Sequence, residues 1–172
     1  MALRMIVQEG DPILNKVCRP VTNFDEKLGQ LIDDMRETLS GAEGYGLAAP
    51  QVGILRRVFI SVDERNMDED EEMPEDYELS FLEFINPEII SSEGEVVAYE
   101  GCLSFPGHNG EIVRPKKVTV RAFDRFGKPF TLEAEDMLAR CICHETNHLD
   151  GITIMQLADH FLEDEDDYEG DE

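Results

Sequence analysis

The chain has 172 residues, of which 15 are basic and 39 acidic, and its formal net charge is −24. This length suits a single domain, and a hydrophobic content of 41% argues against a chain that is disordered throughout. The excess of acids disfavours direct binding to nucleic acid, and no apolar run is long enough to span a membrane. Four cysteines without a C-x-x-C pair do not indicate a disulfide framework. We therefore expect a cytoplasmic protein with neither nucleic acid nor membrane as a direct partner.

Two acidic segments hold much of the negative charge. Residues 63–78 contain ten acids and one base, and residues 163–172 contain eight acids and no base. Without these segments the chain has 14 bases and 21 acids, a net charge of −7. We interpret residues 1–162 as one domain with an acidic loop at 63–78, followed by a disordered acidic tail. Solvated appendages are the favoured interpretation, and a docking role for the tail is the alternative.

The first predicted element is an amphipathic helix. Its apolar residues recur at the spacing of one helical face, at Leu28, Leu31, Ile32, Met35 and Leu39. Asn23 or Asp25 can cap the start of this helix. Gly41 and Gly44 can end it by adopting a left-handed conformation.

Strands are predicted in the middle of the chain, and a second helix follows them. Residues 58–62 and 118–122 alternate in hydrophobicity, and residues 130–132 follow a turn in which Gly127 can take a positive φ. Apolar residues then recur at helical spacing over residues 137–149, and Gly151 stands where a helix would end. Two helices with strands between them indicate an α+β domain built on antiparallel sheet.

The second predicted helix contains an H-E-x-x-H sequence. His144 and His148 are four residues apart, so both imidazoles face one position on the helix surface. Glu145 stands beside that position, where its carboxylate suits a metal-bound water. The pattern indicates a metal site. The alternative is an amphipathic helix that happens to carry two histidines, which would bury polar groups at a cost.

Two histidines leave a third metal ligand to be found, because a catalytic site usually has three protein ligands and one open position. Cys102 follows Gly101, whose small size permits close approach of the backbone, and Cys102 can complete the set of three ligands. Spacing alone leaves an acidic residue equally plausible as the third ligand. Cys143 points to another side of the helix. Cys141 lies about 10.5 Å of helical rise before His148, too far for a shared ion, and is predicted to line a neighbouring pocket.

Small residues surround a neutral amide at residues 44–51. A nucleotide-binding loop is excluded because the third glycine is missing and Pro50 obstructs a following helix. Gln51 can instead donate a hydrogen bond to an oxyanion without titrating. The alternative is an exposed Gln51 at a glycine-rich helix exit.

These segments resemble, in this order, the three motifs of the peptide deformylase family. The motifs are Gly44-x-Gly46-Leu47-Ala48-Ala49-Pro50-Gln51, Glu100-Gly101-Cys102-Leu103-Ser104 and His144-Glu145-x-x-His148-Leu149-x-Gly151. The resemblance covers about residues 1–158. It implies antiparallel sheets packed around a central helix that bears the H-E-x-x-H sequence. It also implies removal of the formyl group from N-formylmethionine at the start of nascent bacterial polypeptides, with release of formate.

The resemblance also implies a role for individual residues. The metal ligands are Cys102, His144 and His148. The catalytic groups are the Glu145 carboxylate as general acid and base, with the Gln51 amide and the Leu103 backbone N–H as oxyanion donors. The substrate-binding residues are Tyr45, Gly46, Gly101, Met137 and Cys141. One divalent metal ion per chain is expected, Fe²⁺ first, with Zn²⁺, Ni²⁺ or Co²⁺ as alternatives.

The sequence departs from the family pattern in four places. Cys143 replaces a glutamine before the first histidine, and Asn147 replaces an aspartate before the second. The acidic loop is longer than expected, and the chain ends in acids where several members have a basic, ribosome-docking helix. The implied partners are therefore N-formylmethionyl peptides and nascent chains, without ribosome docking through the tail.

Two other functions stay open at this point. A zinc-type peptidase shares the H-E-x-x-H helix but takes its third ligand after it, and Asp159, His160 and Glu163 are the candidates. A non-catalytic relative that kept the scaffold is the second alternative, and Asn147 is its only support in the sequence.

Overall fold

The computed structural model describes residues 2–65 and 80–162. The elements in chain order are α1 (Glu26–Ala42), β1 (Gly46–Ala48), β2 (Val58–Val62), β3 (Phe81–Glu93), β4 (Val96–Glu100), β5 (Asn109–Arg114), β6 (Lys117–Phe123), β7 (Pro129–Glu135), α2 (Asp136–Leu149), α3 (Ile154–Leu157) and β8 (Phe161–Leu162). Short 3₁₀ turns cover Pro12–Asn15 and Ala49–Val52. The predicted tail and most of the predicted acidic loop lie outside the described residues.

The strands form two antiparallel sheets. The first has the order β1-β2-β3-β6-β7 and the second the order β4-β5-β8. The α+β class with antiparallel sheets is therefore confirmed. Within the described ranges, no helix is long and apolar enough to cross a membrane.

Strand β2 lies in the middle of the core because both of its faces are apolar. Val58, Ile60 and Val62 pack with the apolar face of α1. Phe59 points the other way and packs with α2 and with Phe84, whose ring is stacked on it. The alternation of Val58, Ile60 and Val62 predicts one buried face of β2. Phe59, which lies between these positions, buries the opposite face.

Helix α2 lies between the two sheets. Its apolar face packs against the first sheet through Leu138, Ala139, Ile142 and Leu149. The Arg140 guanidinium reaches the second sheet and donates to the carbonyl oxygens of Val96 at 2.7 Å and Ile112 at 3.3 Å. The predicted central position of the H-E-x-x-H helix is therefore confirmed.

Three of the predicted turn and cap residues are confirmed. The Asp25 carboxylate accepts a hydrogen bond from the Leu28 N–H at 3.1 Å and caps α1. Gly127 has a φ of 82° in the β6–β7 turn, and Gly151 has a φ of 74° just after α2.

The predicted glycine end of α1 is wrong. The helix continues through Gly41, and the left-handed residue is Glu43, with a φ of 55°. Gly44 serves close packing instead, because a Cβ atom there would lie 2.7 Å from Leu103 Cδ1. A glycine can therefore be required by a neighbouring side chain rather than by its own φ.

Strand β3 is the longest strand in the described ranges, with 13 residues, and alternation alone did not predict it. Its pattern is interrupted at Asn86 and Pro87, where the pairing with β6 shifts register. Asn86 has a φ of 51°, and its amide exchanges hydrogen bonds with the backbone of Val21. This bulge hides the strand from a period-2 search.

Candidate active site

Cys102, His144 and His148 come together beside α2. One ligand atom from each residue lies within 4.8 Å of the others, and Cys102 Sγ is 3.3 Å from His148 Nε2. The two histidines lie on one face of α2, and Cys102 follows the end of β4. A thiolate with two imidazoles is a donor set that divalent Zn, Fe and Co accept, so these residues fit a metal ion.

A buried carboxylate fixes the ring of His144. Glu100 Oε1 lies 2.9 Å from His144 Nδ1, which leaves Nε2 for the metal position. Burial raises the pKa of Glu100, but hydrogen bonds from His144 and Arg114 outweigh it and lower the pKa to about 2. Arg114 donates to both carboxylate oxygens, at 2.8 and 3.0 Å, and Arg140 donates to Oε2. A charged Glu100 therefore orients one candidate ligand.

Two residues of α2, Asn147 and Cys143, depart from the family pattern. The Asn147 side-chain oxygen accepts a hydrogen bond from the Arg114 guanidinium, so the amide keeps the acceptor that an aspartate would supply. Cys143 is buried in the apolar core between α2 and the first sheet, and burial raises the pKa of its thiol. Neither residue belongs to the group of candidate ligands.

Glu145 is buried next to this group. One carboxylate oxygen lies 3.7 Å from His144 Nε2, and the other has no hydrogen-bond partner among the described residues. Burial raises the pKa of Glu145 to about 7. A carboxyl group with this pKa can both accept and donate a proton near neutral pH.

The Gln51 side chain is buried, and both the oxygen and the nitrogen of its amide make hydrogen bonds. Its oxygen accepts a hydrogen bond from the Ala48 N–H at 2.9 Å. Its nitrogen donates to Ser104 Oγ at 3.1 Å and lies 3.5 Å from Cys102 Sγ. The alternative of an exposed Gln51 is excluded, since its exposed fraction is 1%.

The N-terminal segment joins the two loops that carry the predicted oxyanion donors. The Val7 N–H donates to the Gln51 carbonyl at 2.7 Å, and the Glu9 N–H donates to the Ser104 carbonyl at 2.9 Å. Across residues 2–65 and 80–162, no backbone carbonyl accepts a hydrogen bond from the Leu103 N–H. This N–H can therefore serve a ligand.

A cleft of about 380 Å³ opens beside the candidate ligands. It is lined by every predicted catalytic and substrate-binding residue, namely Tyr45, Gly46, Gln51, Gly101, Leu103, Met137, Cys141 and Glu145. Cys102 and His144 also line it, whereas His148 is not part of its wall. The structure therefore brings all the predicted site residues to one place.

At the wall of the cleft opposite α2, the backbone of Gly46 approaches the side chains of α2 closely. A Cβ atom on Gly46 would lie 2.6 Å from Cys141 Sγ and 3.1 Å from Glu145 Cγ. Cys141 lies 3.5 Å from Ser61 Oγ, and burial together with the Glu145 charge raises the pKa of its thiol. Cys141 is thus a neutral wall residue, as the helical spacing predicts.

We expect Gly46→Ala to destabilise the protein by roughly 1–3 kcal/mol, the usual cost of overpacking, and to displace Glu145. Thermal unfolding and formate release, measured on the same sample, test this result. Gly29→Ala is the matched control, because a Cβ there would meet only Arg125 Nη1, at 3.7 Å. Equal behaviour of the two variants would contradict the expectation.

Glu100 makes the metal-free chain sensitive to acid. Its folded-state pKa of about 2 lies below the ordinary value of 4.5, so its contribution is present above pH 4.5 and is lost as the pH falls toward 2. The full loss amounts to about 3 kcal/mol, of which about 2 kcal/mol has occurred by pH 3. Urea unfolding with a chelator present, at pH 6 and pH 3, measures it. Glu100→Gln is expected to remove this part of the pH dependence of stability. Glu95→Gln, at an exposed position, is the control and should retain it. An unchanged pH dependence in Glu100→Gln would contradict the prediction.

Sequence reasoning assigned no role to the residues that hold the site together, although two of them belong to the second motif. They are Glu100, Ser104, Arg114 and Arg140, all of them buried. A signal existed for Arg114, because the period of a strand places it on the same face as buried Ile112. No comparable signal marked Arg140, whose partners come from distant parts of the chain.

This arrangement defines a class of protein. A helix with two histidines and a buried glutamate, facing a cysteine at the edge of a cleft, is typical of metal-dependent hydrolases of the H-E-x-x-H kind. The fold adds a central helix between antiparallel sheets.

Comparison with known proteins identifies the family. The sequence model for polypeptide deformylase matches residues 3–163. A peptide deformylase of Caldicellulosiruptor bescii is 47% identical over 167 residues, covering 96% of this chain and 92% of that protein. One of Agathobacter rectalis is 46% identical over 164 residues, covering 95% of each chain. The chain therefore belongs to the polypeptide deformylase family, whose members are metal-dependent and remove the N-formyl group from nascent polypeptides.

Solved structures agree with this assignment. Peptide deformylase from Thermotoga maritima matches with a TM-score of 0.82 and 38% identity, covering 93% of this chain and 100% of that one. Peptide deformylase from Legionella pneumophila matches with a TM-score of 0.79 and 42% identity, covering 91% and 86% of the two chains.

Proposed function

We propose that the chain removes the formyl group from N-formylmethionyl peptides and releases formate, with Cys102, His144 and His148 holding one divalent metal ion. The observation that carries the proposal is the convergence of the Cys102 thiol with both histidines at the wall of the cleft. The donor set suits several divalent ions. Fe²⁺ is proposed as the native ion from the family resemblance, with Zn²⁺, Ni²⁺ or Co²⁺ able to replace it.

The chemistry divides between the metal and the side chains. When bound, a divalent metal lowers the pKa of a coordinated water and polarises a carbonyl oxygen. Glu145 accepts a proton as water adds to the formyl carbon, and it returns that proton to the amine as the C–N bond breaks. Burial raises the pKa of this carboxyl group, which favours both transfers near neutral pH. The products are formate and a free N-terminus.

The remaining site residues position the substrate and stabilise its charge. The Gln51 side-chain N–H and the Leu103 backbone N–H donate to the formyl oxygen as it gains negative charge. Gly46 and Gly101 allow the substrate backbone to approach. The methionine side chain contacts Tyr45, Met137 and Cys141, whose soft or apolar surfaces suit a thioether.

The peptidase alternative finds no support at the candidate ligands. His160 Nε2 lies 2.9 Å from the Tyr99 hydroxyl, and neither Asp159 nor His160 belongs to the group of ligands found within the described residues. Glu163 lies outside those residues. The third ligand is therefore proposed to be Cys102.

Formate release from formyl-Met-Ala-Ser, assayed anaerobically with metal content measured on the same sample, tests the function. We expect formate and the free tripeptide in equal amounts, and no cleavage of unformylated Met-Ala-Ser. Cleavage of a peptide bond would favour the peptidase. Full metal content without either product would favour the non-catalytic relative.

The cellular partners stay predictions. A cytoplasmic location, nascent chains as substrates and the lack of ribosome docking follow from the charge and the resemblance. The acidic tail that bears on docking lies outside the described residues.

A further inference from the structure

Three apolar side chains are exposed on the outer face of the second sheet. The exposed fractions are 57% for Val97, 42% for Tyr99 and 47% for Val113. Val97 and Val113 are directly opposite each other in the β4–β5 pairing, and Tyr99 lies two residues along β4 on the same face. We refer to Val97, Tyr99 and Val113 as the apolar strip.

The apolar strip is continuous with the cleft. Tyr99 belongs to the strip and also lines the cleft. Its hydroxyl lies 2.9 Å from His160 Nε2, an interaction that restrains the ring at the edge of the cleft. Met137, which is 55% exposed, is another apolar residue in the cleft wall. A molecule leaving the cleft past Tyr99 therefore meets Val97 and Val113 next.

The length of the substrate indicates which molecule covers the apolar strip. A cleft of about 380 Å³ accommodates only the first few residues of a polypeptide, so the rest of a nascent chain must run over neighbouring surface. Beside His108, the cleft wall combines apolar Phe105 and Pro106 with a polar pair, in which His108 Nε2 lies 3.2 Å from the Glu9 carboxylate. Past Tyr99 the strip offers Val97 and Val113, and apolar residues of the substrate gain more there than beside a polar pair.

A second copy of the chain is a poorer occupant. Each copy has a formal net charge of −24, and two such molecules repel each other. A neutral or cationic peptide does not meet this repulsion.

We infer that the apolar strip binds apolar side chains of the substrate beyond its third residue, and so favours nascent chains that are apolar in that stretch. The inference rests on the proposed function, because it assigns a surface to the continuation of the same substrate. The contact is apolar and adds to the binding of the formylmethionine, which is the same for every substrate.

The test compares formyl-Met-Ala-Ser with two formylated hexapeptides that begin with the same three residues and continue with Leu-Val-Leu or with Ser-Asn-Ser. In the metal-loaded protein, we expect kcat/KM to be about fivefold higher for the apolar hexapeptide, the effect of burying roughly 40 Å² of apolar surface. The tripeptide and the polar hexapeptide are expected to react at similar rates.

The double variant Val97→Thr/Val113→Thr keeps β-branched side chains and makes the strip polar. We expect it to bring the ratio between the two hexapeptides close to one, with the tripeptide rate changed by less than about twofold. Ile90→Thr is the matched control, because Ile90 is 46% exposed on β3 of the other sheet. The control should keep the full ratio.

Binding of the two unformylated hexapeptides, measured by fluorescence anisotropy, gives a readout that does not require turnover. Tighter binding of the apolar peptide that is lost in the double variant supports the inference. Equal binding or equal kcat/KM of the two hexapeptides overturns the inference alone, provided that the tripeptide releases formate. A concentration-dependent dimer abolished by the double variant assigns the strip to a second copy and also overturns it. Absence of formate from every peptide overturns the proposed function and the inference together.

Discussion

Replacing Glu145 with glutamine is expected to lower kcat by about 10²- to 10⁴-fold, the usual contribution of a positioned acid or base. Glutamine has nearly the same size and fits the same buried position, but it cannot take up a proton. Glu145 is not one of the three candidate ligands, so the variant is expected to keep one metal ion per chain. Formate release and metal content, measured on the same sample, test both statements.

The matched control for this variant is Glu111→Gln, which also removes one carboxylate from the neighbourhood of the cleft. Glu111 lies 3.6 Å from His160 and is not part of the cleft wall. We expect it to change kcat by less than a few-fold. Near-normal turnover in Glu145→Gln would show that another group transfers the proton.

Replacing Cys102 with alanine is expected to remove most of the bound metal and, with it, most of the activity. The change deletes one of the three proposed protein ligands and the only sulfur among them, leaving two imidazoles that would bind a divalent ion much more weakly. Metal per chain after dialysis, together with formate release before and after adding metal back, measures the effect.

Cys143→Ala is the matched control because it makes the same chemical change next to His144. Cys143 packs in the apolar core and is not among the candidate ligands. We expect it to retain one metal ion per chain and to lose roughly 1 kcal/mol of stability from the small cavity. Equal metal loss in both variants would mean that Cys102 is not a ligand.

The features that could be predicted from sequence are those fixed by local geometry. The helical spacing of His144 and His148 places both imidazoles on one face without reference to the rest of the fold. The cap at Asp25 and the turn at Gly127 likewise depend only on nearby residues. These predictions agree with the structure.

The convergence of distant segments could not be predicted from spacing. Spacing left Cys102 and an acid as equal candidates for the third ligand, because the choice depends on how the β4–β5 pair crosses α2. Only the family resemblance favoured the cysteine. Gly44 was misinterpreted for the same reason, since the side chain that requires a glycine there belongs to Leu103.

Buried charges were missed because charged residues are usually exposed. Glu100, Arg114 and Arg140 form a paired group in the interior, where the Glu100 carboxylate pairs with both guanidinium groups. Their function is to orient His144 and to join α2 to the second sheet. Such a group can be recognised only in the folded structure, where all of its members are close together.

X-ray absorption at the metal edge of the zinc-loaded protein tests the central claim most directly. The proposed site predicts one sulfur and two imidazole nitrogens around the ion, with the sulfur absent in Cys102→Ala. A metal shell of oxygen and nitrogen alone in the unsubstituted protein would contradict the proposed site and the mechanism built on it.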